Sequence, residues 1–421
     1  MVDHKISLLP SAVPDYISFG HPLLLFFINA LWVKMFGFSP LAFHSLSILI
    51  TLCTAFGTYL LASQITKNYV IGILAFVIFL FQPIVIAQST QVLLEMLLTC
   101  TIVFAIFFYL KNQFVYSAIV TSFAVLTKET GLVLAVALPF SLIIKYMFFD
   151  KSKLLIKGFI WYLIPFAVFA IFLIIQHQTF GWYLNPNNLG ATKITFNSIT
   201  QRAWDYALKF VWLKQGRWLF TLVSVLFLIN FIIKNKSKIK LTNSIILLVV
   251  FSFGFMLFSS IASCLHRYFL VMMPIVSLAF AIVIFRVDEM KKYAGVVLLV
   301  IGLILNLYFL NDNTQNSEVN LSYRNQIKVN VLLFDYLNQP EFTGEKVKID
   351  FPVFEATQDA RYGYTMPTNY QAVKFVNDAV ANYYVYTQPG NWSDAGNQTD
   401  SLSLIHKITV NNATALIFSK R

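Results

Sequence analysis

The sequence predicts an all-α polytopic membrane protein that carries a small α/β domain at its C-terminal end. Three observations lead there. Hydrophobic residues make up 58% of the 421 positions against 12% charged, and mean hydropathy is +0.69, a balance no water-soluble globule of this length tolerates. Apolar runs of roughly 17 to 25 residues, enough to cross a hydrocarbon core about 30 Å thick, recur through the first three quarters of the chain. After residue 310 the composition turns polar. Eleven of the nineteen acids lie there, Asn, Gln and Thr are common, and apolar residues fall in short alternating runs. The expected segments are 1–40, an extracytoplasmic loop with an interfacial helix; 41–310, the transmembrane domain; and 311–421, an extracytoplasmic α/β domain.

Residues 1–21 contain charges and prolines and do not span. Residues 22–36 are short for a span and include Lys34, so they read as an amphipathic helix in the outer interface. Two expectations stand for this end: a first anchor helix upstream of Met1, or a crossing by this short segment. Spans are expected at 41–63, 69–87, 93–110, 157–176, 217–233, 243–262, 268–285 and 293–310. The run 114–149 is too long for one helix and is interrupted by Thr127-Lys128-Glu129-Thr130-Gly131, which predicts two helices meeting at a polar turn. Counting the short segments, about nine to eleven membrane helices result.

Lys and Arg fix the orientation. With the loop after residue 63 cytoplasmic, one side collects Lys67, Lys111, Lys145, Lys151, Lys153, Lys157, Lys234, Lys236, Lys238, Lys240, Arg286, Lys291 and Lys292. The short loops opposite hold only Arg267. The Thr127–Gly131 turn and the C-terminal domain then face outward. The same distribution accounts for most of the net charge of +12, so a basic nucleic-acid surface is not expected.

In the C-terminal segment, strands are expected at Lys346–Phe351 and Ala381–Tyr386 and a helix at Tyr323–Leu337. A hairpin over Ser401–Phe418 should turn at Asn411-Asn412. Cys53, Cys100 and Cys264 lie in or beside spans, at spacings that fit neither a disulfide framework nor a zinc site, and are read as buried structural thiols.

Glu95 is the leading functional candidate. Apart from Glu129 it is the only carboxylate between Tyr16 and Phe149, and an unpartnered carboxylate in an apolar segment costs several kcal/mol. Its structural alternative is a helix N-terminal acid favoured by the macrodipole. Lys128 stands either as an anion contact or as an ion pair with Glu129. Arg267 stands as an anion-binding fork or an interfacial anchor. His21, His44 and His266 stand as metal ligands or as interfacial hydrogen-bonders, and Trp182, Tyr183, Trp204 and Trp212 as an aromatic belt.

Four motifs in order carry a family resemblance. Gly20-His21-Pro22-Leu23 precedes a helix ending Trp32-Val33-Lys34-Met35-Phe36-Gly37. Gln82-Pro83 leads through Ser89 to Glu95-Met96-Leu97-Leu98. Leu126-Thr127-Lys128-Glu129-Thr130-Gly131-Leu132 forms a polar turn, and His266-Arg267-Tyr268 runs on to Pro274. This series resembles GT-C glycosyltransferases of the protein O-mannosyltransferase and lipid A aminoarabinose transferase type, over roughly residues 20–285. The resemblance implies transfer of a sugar from a polyprenyl-phosphate carrier to an extracytoplasmic acceptor (lipid, glycan or protein) by inverting displacement, in a bacterial inner membrane. It implies a catalytic base in the first outer loop, where only Asp3 and Asp15 match, and an acidic residue of the second loop, matched by Glu95, that orients the acceptor or holds a metal. Lys128, Arg267 and Tyr268 would meet the carrier phosphate, and His21 with Glu95 would supply ligands to a divalent ion. Other classes stay open. They are a catalytically silent scaffold or truncated GT-C protein, and a transporter, which would require paired midplane charges and an inverted repeat.

Overall fold

A computed structural model describes the chain except for residues 1–5, 15–17, 149–150, 187–194, 235–241, 262–264, 312–316, 350–352, 354–373, 377–380, 389–401 and 421. It divides into two compact units. The first holds Met1–Gly37 and Phe43–Phe309, and the second Phe38–Ala42 and Leu310–Arg421.

The first unit is helical. Its helices are α1 (Leu24–Phe36), α2 (Pro40–Thr66), α3 (Tyr69–Leu80), α4 (Pro83–Ser89), α5 (Leu94–Leu110), α6 (Phe114–Thr127), α7 (Leu132–Phe148), α8 (Lys153–Trp161), α9 (Leu163–Phe180), α10 (Phe196–Arg202), α11 (Arg217–Lys234), α12 (Asn243–Ile261), α13 (Met273–Met290) and α14 (Ala294–Tyr308). Six described helical stretches are long and apolar enough to cross a membrane, or eight if two bent pairs each count as one span. The chain is an integral membrane protein.

Several local features explain the breaks. The expected continuous span at 69–87 is instead two helices bent by 68°, because Pro83 supplies no amide hydrogen and its ring disfavours helical geometry at Gln82. Between the expected spans 157–176 and 217–233, the chain is largely helical where it is described: α10 runs into a π-helix over Ala203–Leu213, which meets α11 at 88°. Segment 22–36 forms α1, with Leu24, Leu25, Asn29, Ala30 and Val33 on a buried face.

Most hydroxyls in the spans are satisfied within their own helix. Thr51, Thr54 and Thr58 of α2 each donate to the carbonyl four residues earlier, at 2.7 to 2.9 Å. Ser117 of α6 differs: its Oγ donates across to the Ala105 carbonyl of α5 at 2.8 Å and accepts from Tyr162 Oη at 2.9 Å. Cys53 is exposed rather than buried as expected, because it shares an exposed face of α2 with Leu49 and Phe56, while Cys100 is half-buried. Cys264 lies outside the described residues.

The second unit contains helix α15 (Tyr323–Leu337) and strands β1 (Lys346–Ile349), β2 (Lys374–Val376), β3 (Tyr383–Gln388), β4 (Leu402–Val410) and β5 (Ala413–Lys420). The sheet order is β2-β1-β3-β5-β4, with β1 parallel to β2 and β3, and β5 antiparallel to β3 and β4. The expected hairpin turns at Asn411-Asn412, where Asn411 adopts the left-handed conformation (φ 51°) that asparagine accepts at low cost. Asn325 of α15 bonds both turn side chains, Asn412 at 3.0 Å and Asn411 at 3.2 Å. Val329, Leu333, Phe334 and Leu337 pack from α15 onto Val347, Ile349, Val385, Ile408 and Ile417 of the sheet.

Candidate functional site

The Gln82–Leu98 motif and the polar turn meet through their charges. Glu95 lies in the first turn of α5, and its preceding residue Leu93 is extended (φ −120°, ψ 156°). Lys128 caps α6 with an extended backbone (φ −159°, ψ 145°), which swings its side chain away from the helix axis. Glu129–Gly131 then form a single 3₁₀ turn into α7. Gly131 is required by close approach: a Cβ there would lie 2.6 Å from the carbonyl carbon and oxygen of Ala124.

Lys128 Nζ donates to Glu95 Oε1 at 2.8 Å, with the two side chains 5% and 3% exposed. Arg267 Nε approaches the same oxygen at 3.4 Å with its side chain 20% exposed, so it is the member of the trio that opens outward. Arg267 and Tyr268 sit on a 3₁₀ helix over His266–Met272, in which Phe269, Leu270, Val271 and Met272 are buried anchors. The Tyr268 ring completes the cluster: Lys128 Nζ stands 3.4 Å from its centroid and the Arg267 guanidinium 5.6 Å.

Among the described residues, the Glu95 carboxylate is shared by two cations, Lys128 and Arg267. Such an arrangement holds Lys128 and Arg267 in fixed positions and suits an anionic ligand with several oxygens.

Lys128 and Glu129 do not pair with one another. Lys128 turns to Glu95, while Glu129 turns to His21, whose Nδ1 lies 2.8 Å from Oε2 and 3.1 Å from Oε1. Adjacent residues across an extended-to-3₁₀ junction point apart, and each finds a partner on a different segment. Gly20 positions His21: its φ is +75°, and a Cβ there would meet the Trp182 ring at 2.9 Å. Trp182, expected in an aromatic belt, packs against the Gly20-His21 corner and stacks on Phe180 at 5.3 Å.

Of the residues predicted from sequence, Glu95, Lys128, Arg267 and Tyr268 come together. His21 is held by Glu129. Asp3 and Asp15 lie outside the described residues. Among the described residues, no group of three His, Cys, Asp or Glu side chains gathers closely enough to hold a metal ion. The His266 ring stands 4.7 Å from Phe210.

Sequence reasoning missed Arg217. It is fully buried at the start of α11, and donates to Gln82 Oε1 at 3.1 Å, Gln215 Oε1 at 2.7 Å and the Phe210 carbonyl at 2.7 Å. It therefore ties together the two bent helix pairs, one broken at Gln82 and the other after Leu213. An Arg that follows Gln215-Gly216 and opens an apolar run was the available signal.

No family model matches the chain, and no curated protein matches it in sequence. Solved structures do. The crystal structures of ArnT from Cupriavidus metallidurans, one in the apo state and one bound to undecaprenyl phosphate, superpose with TM-scores of 0.54 at 10% and 12% identity. Each alignment covers 95% of this chain and 88% of the ArnT chain. The likeness is one of fold: a membrane helix bundle of the ArnT type joined to a small sheet domain.

Proposed function

We propose that this protein is a membrane glycosyltransferase that takes its sugar from a polyprenyl-phosphate carrier and passes it to an extracytoplasmic acceptor. The observation that carries the reading is the Glu95 carboxylate shared by Lys128 and Arg267, a charge cluster faced by the Tyr268 ring. Its setting in a fold that overlays ArnT supports the reading, since one ArnT structure is described as bound to undecaprenyl phosphate. Three of the four motifs that suggested a GT-C enzyme from the sequence supply Glu95, Lys128, Arg267 and Tyr268.

The chemistry assigns roles by residue type. The acceptor hydroxyl oxygen forms a bond to the anomeric carbon as the bond from that carbon to the carrier phosphate breaks. The hydroxyl proton passes to a carboxylate base, for which Asp3 and Asp15 of the first loop are the proposed candidates. The departing phosphate takes the electron pair, and Lys128 and Arg267 meet its growing charge. Tyr268 lines the same cluster, and Glu95 acts by holding both cations in position. His21 and Glu129 fasten the first loop to the turn that carries Lys128. A divalent ion would need Asp3 or Asp15 beside His21 and Glu95 to complete its ligands. An apolar cleft lined by Ile48, Leu52, Leu80, Val85 and Ile86, with Thr51 and Ser89 at its polar side, offers a seat for the prenyl tail beside α4. The proposed location is the bacterial inner membrane, with the cluster and the C-terminal domain on the extracytoplasmic face.

The test is direct. Purified protein in lipid nanodiscs should bind a polyprenyl phosphate by native mass spectrometry, and Arg267→Gln should weaken that binding. Supplied with lipid extract, the wild type should transfer labelled sugar from carrier to acceptor. Failure of carrier binding by the wild type, or equal binding by the variant, refutes the reading.

A further inference from the structure

Helix α15 has two long faces. Val329, Asn330, Leu333, Phe334 and Leu337 are buried, most of them against the sheet. On the opposite face Arg324, Ile327, Lys328, Val331, Leu332 and Asp335 are exposed, a stripe at the helical spacing of i, i+3, i+4, i+7, i+8 and i+11. Three of the six are large aliphatic side chains: Ile327 is 38% exposed, Val331 39% and Leu332 46%. A solvated helix face rarely places three of these side by side, and here they line a shallow apolar depression of 310 Å³ with Val410 of strand β4.

The stripe is graded in charge. Arg324 precedes the aliphatic residues, Lys328 lies among them between Ile327 and Val331, and Asp335 stands at the C-terminal end of the stripe. Aliphatic side chains bordered by long basic ones is the composition of a helix that lies at a lipid surface, with apolar groups entering the acyl boundary while Arg and Lys reach anionic headgroups.

The chain connection supplies the second argument. The candidate span beginning at Ala294 runs to Asn311, and the Leu310 carbonyl in its last turn accepts the Leu321 amide at 2.8 Å. Leu321 lies two positions before Tyr323, the first residue of α15. Twelve positions of chain separate Asn311, the end of that candidate span, from Tyr323, the first residue of α15. A bilayer surface is the extended partner that lies next to such a helix by covalent connection.

We infer that the Arg324–Asp335 face of α15 docks on the anionic headgroup layer of the bilayer, seating the C-terminal domain against the membrane. The aliphatic trio enters the boundary, Arg324 and Lys328 contact phosphate oxygens, and Asp335 stays on the watery side. The inference stands apart from the enzymatic reading, because it needs only the face, its charges and the adjoining span.

Site-directed spin labelling of the full chain tests it. A nitroxide is placed at Val331→Cys, or at Lys346→Cys on the exposed start of β1 as a control, in protein whose Cys53, Cys100 and Cys264 are replaced. The protein is reconstituted in vesicles of phosphatidylethanolamine and phosphatidylglycerol. Oxygen partitions into lipid and a nickel chelate into water, so a docked face gives an oxygen-to-nickel accessibility ratio at 331 on the order of tenfold above that at 346. Replacing Arg324 and Lys328 together by Gln should return the ratio at 331 toward the control. Equal ratios at the two sites overturn the inference. So does a label at 331 shielded from both reagents, which would mean that protein covers the face.

Discussion

Lys128 Nζ and Glu95 Oε1 lie 2.8 Å apart in the protein interior although 33 positions separate them in sequence. The pair joins the N-terminal turn of α5 to the turn between α6 and α7, and Arg267 reaches it from a third segment. Removing one partner from such a pair leaves a buried charge that no solvent can reach.

Lys128→Met should therefore destabilise the protein by about 3 to 5 kcal/mol, because Glu95 would keep only the longer contact to Arg267. The double variant Glu95→Gln, Lys128→Met should be more stable than Lys128→Met alone, since it removes the charge together with its partner. Thermal unfolding of the three detergent-solubilised variants checks this. A double variant no more stable than the single would show that the pair is not the source of the loss.

Arg267→Lys keeps the charge and loses the planar fork. Under the proposed function it should reduce sugar transfer by about 10²-fold while leaving the unfolding temperature close to wild type, because Arg267 is the more exposed cation of the cluster. Steady-state transfer alongside thermal unfolding separates the two effects; a large drop in stability with little change in transfer would count against its role.

Gly131→Ala should cost about 1 to 3 kcal/mol, since the new methyl would meet the Ala124 carbonyl at 2.6 Å and the turn has to shift. Under the proposed function, the shift of Lys128 should also lower carrier-phosphate affinity. Gly37→Ala is the control. There a Cβ meets nothing within 4 Å, so its cost comes from the positive φ of 86° alone and should leave carrier affinity unchanged.

Arg217→Ala should be among the most damaging single changes. It strips the donor from Gln82, Gln215 and the Phe210 carbonyl at once, and each buried acceptor left unpaired costs about 1 to 3 kcal/mol. Arg217→Lys cannot span the same three acceptors and should rescue only part of the loss. Yield of monodisperse protein in size-exclusion chromatography measures both.

His21→Ala should lower stability by about 1 kcal/mol or less, because the His21–Glu129 contact is partly exposed. Its larger effect should be on the first loop: limited proteolysis should cut near residue 21 faster in the variant, and an unchanged rate would show that Glu129 is not what fastens that loop.

The helical bundle and the α/β domain are legible in the sequence because their signals are long-range in the chain and strong: apolar runs, a shift in acid content, and alternation near Asn411-Asn412. The Glu95, Lys128, Arg267 and Tyr268 grouping is legible for a different reason. Each is polar at the end of an apolar run, where burial forces it to find company. The partners themselves are less visible. Lys128 and Glu129 are oppositely charged neighbours, and only the extended backbone at Lys128 reveals that they turn apart. The break at Gln82 has a sequence cause in Pro83, yet hydropathy across 69–87 stays high and hides a 68° bend. Arg217 is hidden because a charge at the start of an apolar run is ordinarily an interfacial anchor, whereas here its acceptors are neutral groups drawn from 135 residues away as well as from its own neighbourhood.

The hydroxyl ladder of α2 has a consequence for how the bundle recognises itself. Lipid tails are as apolar as leucine, so inside a bilayer no hydrophobic preference tells a helix which neighbour is correct. Thr51 and Thr58 spend their hydrogen bonds on their own helix and are silent on that question. Ser117 is not: it addresses α5 through the Ala105 carbonyl and the α8–α9 junction through Tyr162. That hydroxyl serves as an address label for α6, and Ser117→Ala would leave every residue of the helix as greasy as before while erasing the mark that distinguishes its rightful neighbours from any other apolar surface.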